Sequence, residues 1–178
     1  SGTTPTSVTV SLASSDTTEL LVPATVTVSA GSSSSNYFSL TAVDDVIFDG
    51  TQSVTLTASA ATFVNASKTL TIQDNDVLSL SLTLPPALSE GAGTNAGQGT
   101  VSIGVETASL IDVALASSSP ARLSIPASVS ISPGQSSATF ALSPIDDRIT
   151  EGDQVVTITA THSALNGTGS ITLTDDEP

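Results

Sequence analysis

The residues of this chain whose types and spacing could do chemistry are carboxylates, and they come in two matching groups. Ile145-Asp146-Asp147-Arg148-Ile149-Thr150-Glu151-Gly152-Asp153 repeats the pattern of Val43-Asp44-Asp45-Val46-Ile47-Phe48-Asp49-Gly50, in which two aspartates precede three residues, an acid and a glycine. Each copy runs through an alternating stretch into a second acidic run, Asp74-Asn75-Asp76 in the first and Asp175-Asp176-Glu177 in the second. A solvated charged face does not require two acidic groups that recur in step. Oxygen-rich clusters are what hard cations such as calcium take as ligands. The plainer alternative is an acidic loop, because Asp supports turns through its own side chain. An EF-hand does not fit, since Asp74-Asn75-Asp76 lacks the continuing alternate ligand spacing and the glycine of such a loop.

Other chemistry finds little footing. His162 is the one histidine, so Ser-His-Asp catalysis would have to pass through it. It belongs near the end of a strand remote from the acids, with no nucleophile and orienting acid placed around it. Ser89-Glu90-Gly91-Ala92-Gly93 has no serine in nucleophile-elbow spacing. The glycines from Gly91 to Gly99 are not followed by the lysine of a phosphate loop, and read as a flexible connection. Asn65-Ala66-Ser67 and Asn166-Gly167-Thr168 are glycosylation triplets of a kind that arises by chance in a Ser/Thr-rich chain. Asn166-Gly167 reads better as a hairpin turn. The expectation is a non-enzymatic protein.

A net charge of −14, with Lys68, Arg122 and Arg148 the only basic residues, excludes a phosphate-tracking surface and hence nucleic acid as a partner. Without cysteine there is no disulfide framework and no thiolate metal site. No run approaches the roughly 18 apolar residues of a membrane span. The chain has no methionine, even at position 1, which suggests a piece of a longer polypeptide with Ser1-Gly2 left by cloning.

The elements that must position the acids are strands. Val8-Thr9-Val10-Ser11-Leu12, Val54-Thr55-Leu56 and Leu70-Thr71-Ile72 alternate with period two. Turn residues interrupt such runs at the spacing of a sandwich. Val22-Pro23-Ala24 through Gly31 aligns with Ile125-Pro126-Ala127 through Gly134, Phe38 and Leu40 with Phe140 and Leu142, and Val54 and Leu56 with Val156 and Ile158. Coincident apolar positions predict one shared core design. In the second copy the strands fall at about 78–84 (A), 100–105 (B), 111–116 (C), 128–132 (D), 138–145 (E), 154–161 (F) and 170–174 (G), a reading that rests on period and turn residues. If successive strands reverse direction, one end of the sandwich collects Glu90, Asp146, Asp147, Glu151, Asp153, Asp175, Asp176 and Glu177. Carboxylates gathered so closely must be protonated, splayed into water or neutralised by cations.

Ser89-Glu90-Gly91, the Ile145-Asp146-Asp147 and Glu151-Gly152-Asp153 pair, and Leu173-Thr174-Asp175-Asp176-Glu177 resemble the Calx-beta repeat of sodium/calcium exchangers, integrin β4 and very large bacterial surface or secreted proteins. The resemblance covers Val77 to Glu177 and, less completely, Ser7 to Asp76. It implies an all-β chain of tandem immunoglobulin-like antiparallel β-sandwiches with calcium at one tip. Its implied ligands are Glu90, Asp146, Asp147, Glu151, Asp175 and Asp176 in the second copy, and Asp44, Asp45, Asp49, Asp74 and Asp76 in the first. The family often adds an acid from the C–D connection, a place held by Asp16 in the first copy. In the second copy Ser119 and Arg122 stand opposite Asp16 and Glu19, and Arg122 is expected to reach Asp146 or Asp175.

The expected organisation is a module over 1–76 and a complete one over 77–178. Aligning Val8, Val10 and Leu12 with Ile111, Val113 and Leu115 starts the first copy at strand C. That leaves strand E with an open edge, and an open edge invites self-association. The expected role is a calcium-binding spacer of a large extracellular or cell-surface, bacterial adhesion-type protein, in which calcium and neighbouring repeats are the partners and bound ions stiffen tips and junction. The alternative is a carbohydrate- or protein-binding sandwich without functional calcium. Sugar sites favour aromatic platforms, and this chain offers only Tyr37 and four phenylalanines.

Overall fold

The computed structural model describes residues 2–176. Ser1, and Glu177 of the second acidic run, lie outside the described residues. The chain divides into two compact units. The first holds the chain up to Asp45 together with Asp49–Asn75, and the second holds Val46–Phe48 and the chain from Asp76 onward.

The first unit contains β1 (Val8–Ser14), β2 (Leu20–Leu21), β3 (Thr25–Val28), β4 (Thr41–Ala42), β6 (Gln52–Ser59) and β7 (Ala66–Ile72). β5 (Ile47–Phe48) falls in the second unit. The remaining strands of the second unit are β8 (Ser81–Thr83), β9 (Ala87–Ser89), β10 (Gly97–Ser102), β11 (Glu106–Thr107), β12 (Ile111–Ser117), β13 (Leu123–Ser124), β14 (Ser128–Ile131), β15 (Ser137–Pro144), β16 (Gln154–His162) and β17 (Leu165–Thr174). The protein is all-β, as its alternating Val, Ile and Thr predict, and the second unit is an immunoglobulin-like sandwich of mainly antiparallel strands.

In the second unit a sheet of order β14-β12-β16-β17-β9 faces one of order β13-β15-β10-β8. Alternation decides which side chains meet between them. Ile111, Val113 and Leu115 of β12 are buried while Asp112, Ala114 and Ala116 are exposed. Phe140, Leu142, Ile158, Ile171 and Leu173 complete the core, each fully buried apolar side chain contributing about 1.5–3 kcal/mol.

The strand expected over 78–84 is shorter and has a sequel. β8 pairs antiparallel with β10, and then the chain changes sheets so that β9 runs parallel to β17, with Ala87 opposite Thr172. The change falls at Pro85-Pro86, where neither residue has an N–H to give to a ladder. Its consequence is that β9 delivers Glu90 beside the end of β17 and hence beside Asp175 and Asp176.

The hairpin between β16 and β17 corrects one expectation. His162 pairs with Leu165, so the turn is Ser163-Ala164, with Ser163 at φ 51°, and Asn166-Gly167 lies within β17. Gly167 serves close approach instead of turning, because a Cβ there would lie 2.9 Å from the Leu80 carbonyl oxygen.

The first unit repeats one of these sheets, in the order β3-β1-β6-β7. Leu12 pairs with Ala58 as Leu115 pairs with Ala160. The expectation of equal cores fails on the other side. Phe140 and Leu142 are 5% and 0% exposed, but their matches Phe38 and Leu40 are 38% and 41% exposed and lie outside any strand. In the second unit β15 is paired along β10 from Ser137 to Leu142. Among the described residues of the first unit nothing corresponds to β10, so the backbone before Thr41 has no ladder to join. Only β2 and β4 pair there. The expected E strand is therefore this short stub and not a long open edge. Among the described residues no helix is long and apolar enough to cross a membrane.

Candidate metal site

The acidic tip of the second unit is assembled from four places: the turn after β9, the residues before β13, the connection between β15 and β16, and the end of β17. Asp175 holds it together. Its carboxylate accepts hydrogen bonds from the backbone N–H of Glu151 at 2.8 Å and of Gly152 at 2.6 Å. Gly152 sits at φ +78°, a conformation glycine adopts without steric cost, and this aims both N–H groups at Asp175. Asp176 accepts from the N–H of Gly91 at 3.0 Å. A Cβ at Gly91 would overlap that carboxylate, so the absence of a side chain there permits the approach.

The paired aspartates do what the plainer reading expects. Asp146 accepts from Arg148 N–H and Asp147 from Ile149 N–H, each at 3.0 Å, closing local turns. Arg122 makes an ion pair with Asp147 at 3.6 Å and another with Glu151. It was expected at Asp146 or Asp175. Asp175 is instead taken up by two backbone donors and Asp146 by the turn at Arg148, which leaves Asp147 and Glu151 as acceptors for the guanidinium.

Glu90 stands apart. It is 1% exposed, and neither carboxylate oxygen has a hydrogen-bond partner. Burial pushes its carboxyl above the usual range, and the charges of Asp147, Asp175 and Asp176 push the same way against the opposing pull of Arg122. An unpartnered buried carboxylate is costly unless protonated or joined by a cation.

The first unit repeats the clamp. Asp74 accepts from Asp49 N–H at 3.1 Å and from Gly50 N–H at 2.7 Å, with Gly50 again at φ +78°. Asp16 is turned to its own loop, accepting from the N–H and hydroxyl of Thr18, bonds that hold its carboxyl below the usual range. Glu19 takes the place that Arg122 has in the second unit. Its carboxyl is raised by burial and then by Asp49, Asp16, Asp45 and Asp74. Glu19 is therefore the tip acid that sequence reasoning missed, although its position opposite Arg122 in the repeat was the available signal. Asp44 is exposed, and Asp76 falls in the second unit.

Carboxylate and carbonyl oxygens suit calcium, and the orphaned Glu90 suits any cation. Among the described residues, however, no group of three or more His, Cys, Asp or Glu side chains is arranged to hold a metal ion. In the second unit the reason is visible in the pairing, because Asp175, Asp176, Asp146 and Asp147 face backbone donors while Arg122 occupies the ground between Asp147 and Glu151. Elsewhere, His162 binds the Asp112 carbonyl through Nδ1 at 2.8 Å, and Ser130 donates to the Asp112 carboxylate, so the histidine is bonded to the neighbouring strand and not to a serine.

These features define a β-sandwich module with an acidic, loop-built tip. No protein-family model and no curated protein matches the sequence. Among solved structures, the chain is similar to the apo-form Calx CBD1 domain at 16% identity, over 55% of this chain and 98% of that one, with a TM-score of 0.44. It is also similar to the protocadherin GammaB4 extracellular domain at 19% identity, over 93% and 26% of the respective chains, with a TM-score of 0.39. Domains 1–6 of the surface layer protein SbsC match at 11% identity, over 95% and 20%, again with a TM-score of 0.39. The chain thus spans about a quarter and a fifth of the last two. At such identities the likeness reaches no further than sandwich architecture.

Proposed function

We propose that the chain comprises two calcium-binding β modules, 1–76 and 77–178, acting as a spacer in a large extracellular adhesion-type protein, with cations stiffening the acidic tips. The observation that carries this reading is Glu90, a buried carboxylate without a partner, placed among Asp147, Asp175 and Asp176. Such a group costs free energy unless it is protonated or joined by a cation, and a divalent cation would supply that compensation. Extracellular modules bind calcium with dissociation constants on the order of 10⁻⁴ to 10⁻³ M, suited to a mechanical role. In the second unit Glu90, Asp147, Glu151, Asp175 and Asp176 would contribute oxygens, and in the first Glu19, Asp45, Asp49 and Asp74.

Thermal melts in millimolar calcium and in chelator test this. Calcium at about 100 times its dissociation constant should stabilise the fold by roughly 2.7 kcal/mol. Superimposable melts would remove calcium from the function. One observation favours a second reading for the second unit: Arg122 already pairs with Asp147 and Glu151 and offsets one of their two charges. On that reading the unit is a spacer or protein-binding sandwich without calcium, and titration of the wild type would show ions in the first unit alone.

A further inference from the structure

The second unit is entered and left by strands that point the same way. Tension carried along the chain reaches this unit through β8 and β9 at its start and through the end of β17. β9 is paired to β17 in parallel register, with Ala87 opposite Thr172, Leu88 opposite Leu173 and Ser89 opposite Thr174. The residues that lead into this ladder follow β17 in the same direction. The Leu80 carbonyl lies against Gly167, and Leu84 and Leu82 lie against Gly169, where a Cβ would be 3.0 Å and 3.3 Å from their side chains. Two glycines on one strand thus let the incoming segment lie close along it. Three bonds fasten the pair: Thr172 N–H donates to the Pro86 carbonyl at 3.1 Å, the Thr174 hydroxyl to the Leu88 carbonyl at 3.4 Å, and Gly91 N–H to the Asp176 carboxylate at 3.0 Å.

We infer that β9 and β17 form a mechanical clamp, and that this short parallel ladder, not the apolar core, sets the force at which the second unit opens. When one strand of a parallel pair is drawn from its start and the other from its end, the two pulls run along the ladder in opposite directions. The hydrogen bonds then lie across the load and must part together. Antiparallel neighbours joined by a turn, such as β16 and β17, behave differently, because drawing their open ends apart releases one bond at a time. The sheet change at Pro85-Pro86 creates the clamp, since without it the first strand would stay beside β10 and have no ladder with β17. Forced unfolding follows the unfolding rate and not the equilibrium stability. A few residues at a sheet edge can therefore govern it while the core supplies most of the stability. The clamp needs no cation, so it holds whichever way the calcium question falls.

The chain has no cysteine, so single cysteines can serve as handles for single-molecule pulling of the full chain, in chelator. Val77→Cys with a cysteine appended after Pro178 loads the ladder in shear. Val77→Cys with Ala164→Cys draws both strands from their starting ends, so that the bonds part in turn; Val77 and Ala164 are both exposed. At one constant force the unit should last longer in the first geometry by on the order of tenfold. Leu88→Pro removes the N–H that the register aims at the Thr172 carbonyl, and it should erase most of that difference. Val113→Ala, in the core and away from the ladder, should lower equilibrium stability in denaturant yet leave the shear lifetime nearly unchanged, because a residue still in its native contacts at the barrier does not alter the unfolding rate. Equal lifetimes in the two geometries would overturn the inference. So would a wild-type shear lifetime in Leu88→Pro, or a Val113→Ala lifetime shortened as much as that of Leu88→Pro. Should circular dichroism show Leu88→Pro unfolded, the two geometries, which leave both strands unaltered, decide alone.

Discussion

Replacing Glu90 by glutamine should act in opposite directions with and without calcium. In chelator the wild type carries a carboxylate that is 1% exposed, has no hydrogen-bond partner and faces three other acids against one arginine. A buried polar group without a partner costs about 1–3 kcal/mol, and a charged one more. Glutamine keeps the unpartnered polar atoms and removes only the charge, so Glu90→Gln should stabilise the metal-free protein by about 1 kcal/mol. That corresponds to a rise in Tm of about 4–8 °C on the scale of small domains. In calcium the ranking should invert, because the ion prefers the carboxylate and stabilises the wild type alone.

The pH dependence follows from the same shift, taken with its sign. A carboxyl raised in the folded state contributes stability that is fully present below its unfolded value, about 4.3 for glutamate. That stability is lost as the pH rises through the folded value. In chelator the advantage of Glu90→Gln should therefore be greatest near neutral pH and fade as the solution is acidified. Scanning calorimetry of both proteins from pH 4 to pH 8, in chelator and in calcium, measures it. A variant less stable than wild type in chelator would refute the reasoning, since Glu90 would then be held by a partner that its geometry does not contain.

Arg122→Ser should raise calcium affinity at the second tip by about tenfold, a 1.4 kcal/mol effect, because it removes the cation that Asp147 and Glu151 now hold; isothermal titration measures it, and unchanged affinity would count against competition for the acids. In the first unit Glu19→Gln should lower affinity more than Asp16→Ser, because Asp16 is engaged by Thr18 whereas Glu19 lies in the field of Asp49, Asp45 and Asp74; the same titration ranks them. Gly99→Ala should destabilise the second unit by about 1–3 kcal/mol through overpacking, since a Cβ there would overlap the Phe140 ring; chemical denaturation checks it, and a neutral result would mean that the ring can shift.

Strand positions were legible because period two is a local property. The alternation of Ile111, Val113 and Leu115, or of Val54 and Leu56, states which residues share a face whatever lies opposite. What lies opposite was not legible. Phe38 and Phe140 read alike, yet one is buried and the other is not, because burial needs β10 and its counterpart is missing from the first unit. Likewise Asn166-Gly167 carries the local signature of a turn, but Leu80, just before β8 and more than eighty residues earlier, approaches that glycine, and the turn moves to Ser163-Ala164.

The same distinction between local and distant partners separates the acids that shape a loop from those that tie it to the sheet. Asp146 and Asp147 sit in the most conspicuous acidic motif, yet both bond the backbone two residues on, as Asp does in turns. Asp74 and Asp175 lie in plainer strand endings, and each reaches back over more than twenty residues to two N–H groups beside a left-handed glycine. The first pair folds a loop, whereas the second pair fixes that loop to the sheet. The motif Asp-Asp therefore advertises a site whose architecture depends on a different aspartate. Glu19 and Glu90, neither of them in that motif, are the acids whose carboxyls the fold drives upward. On the proposed calcium reading, Glu19 and Glu90 are the carboxyls whose crowding a cation would relieve, while the paired aspartates shape the loop around them.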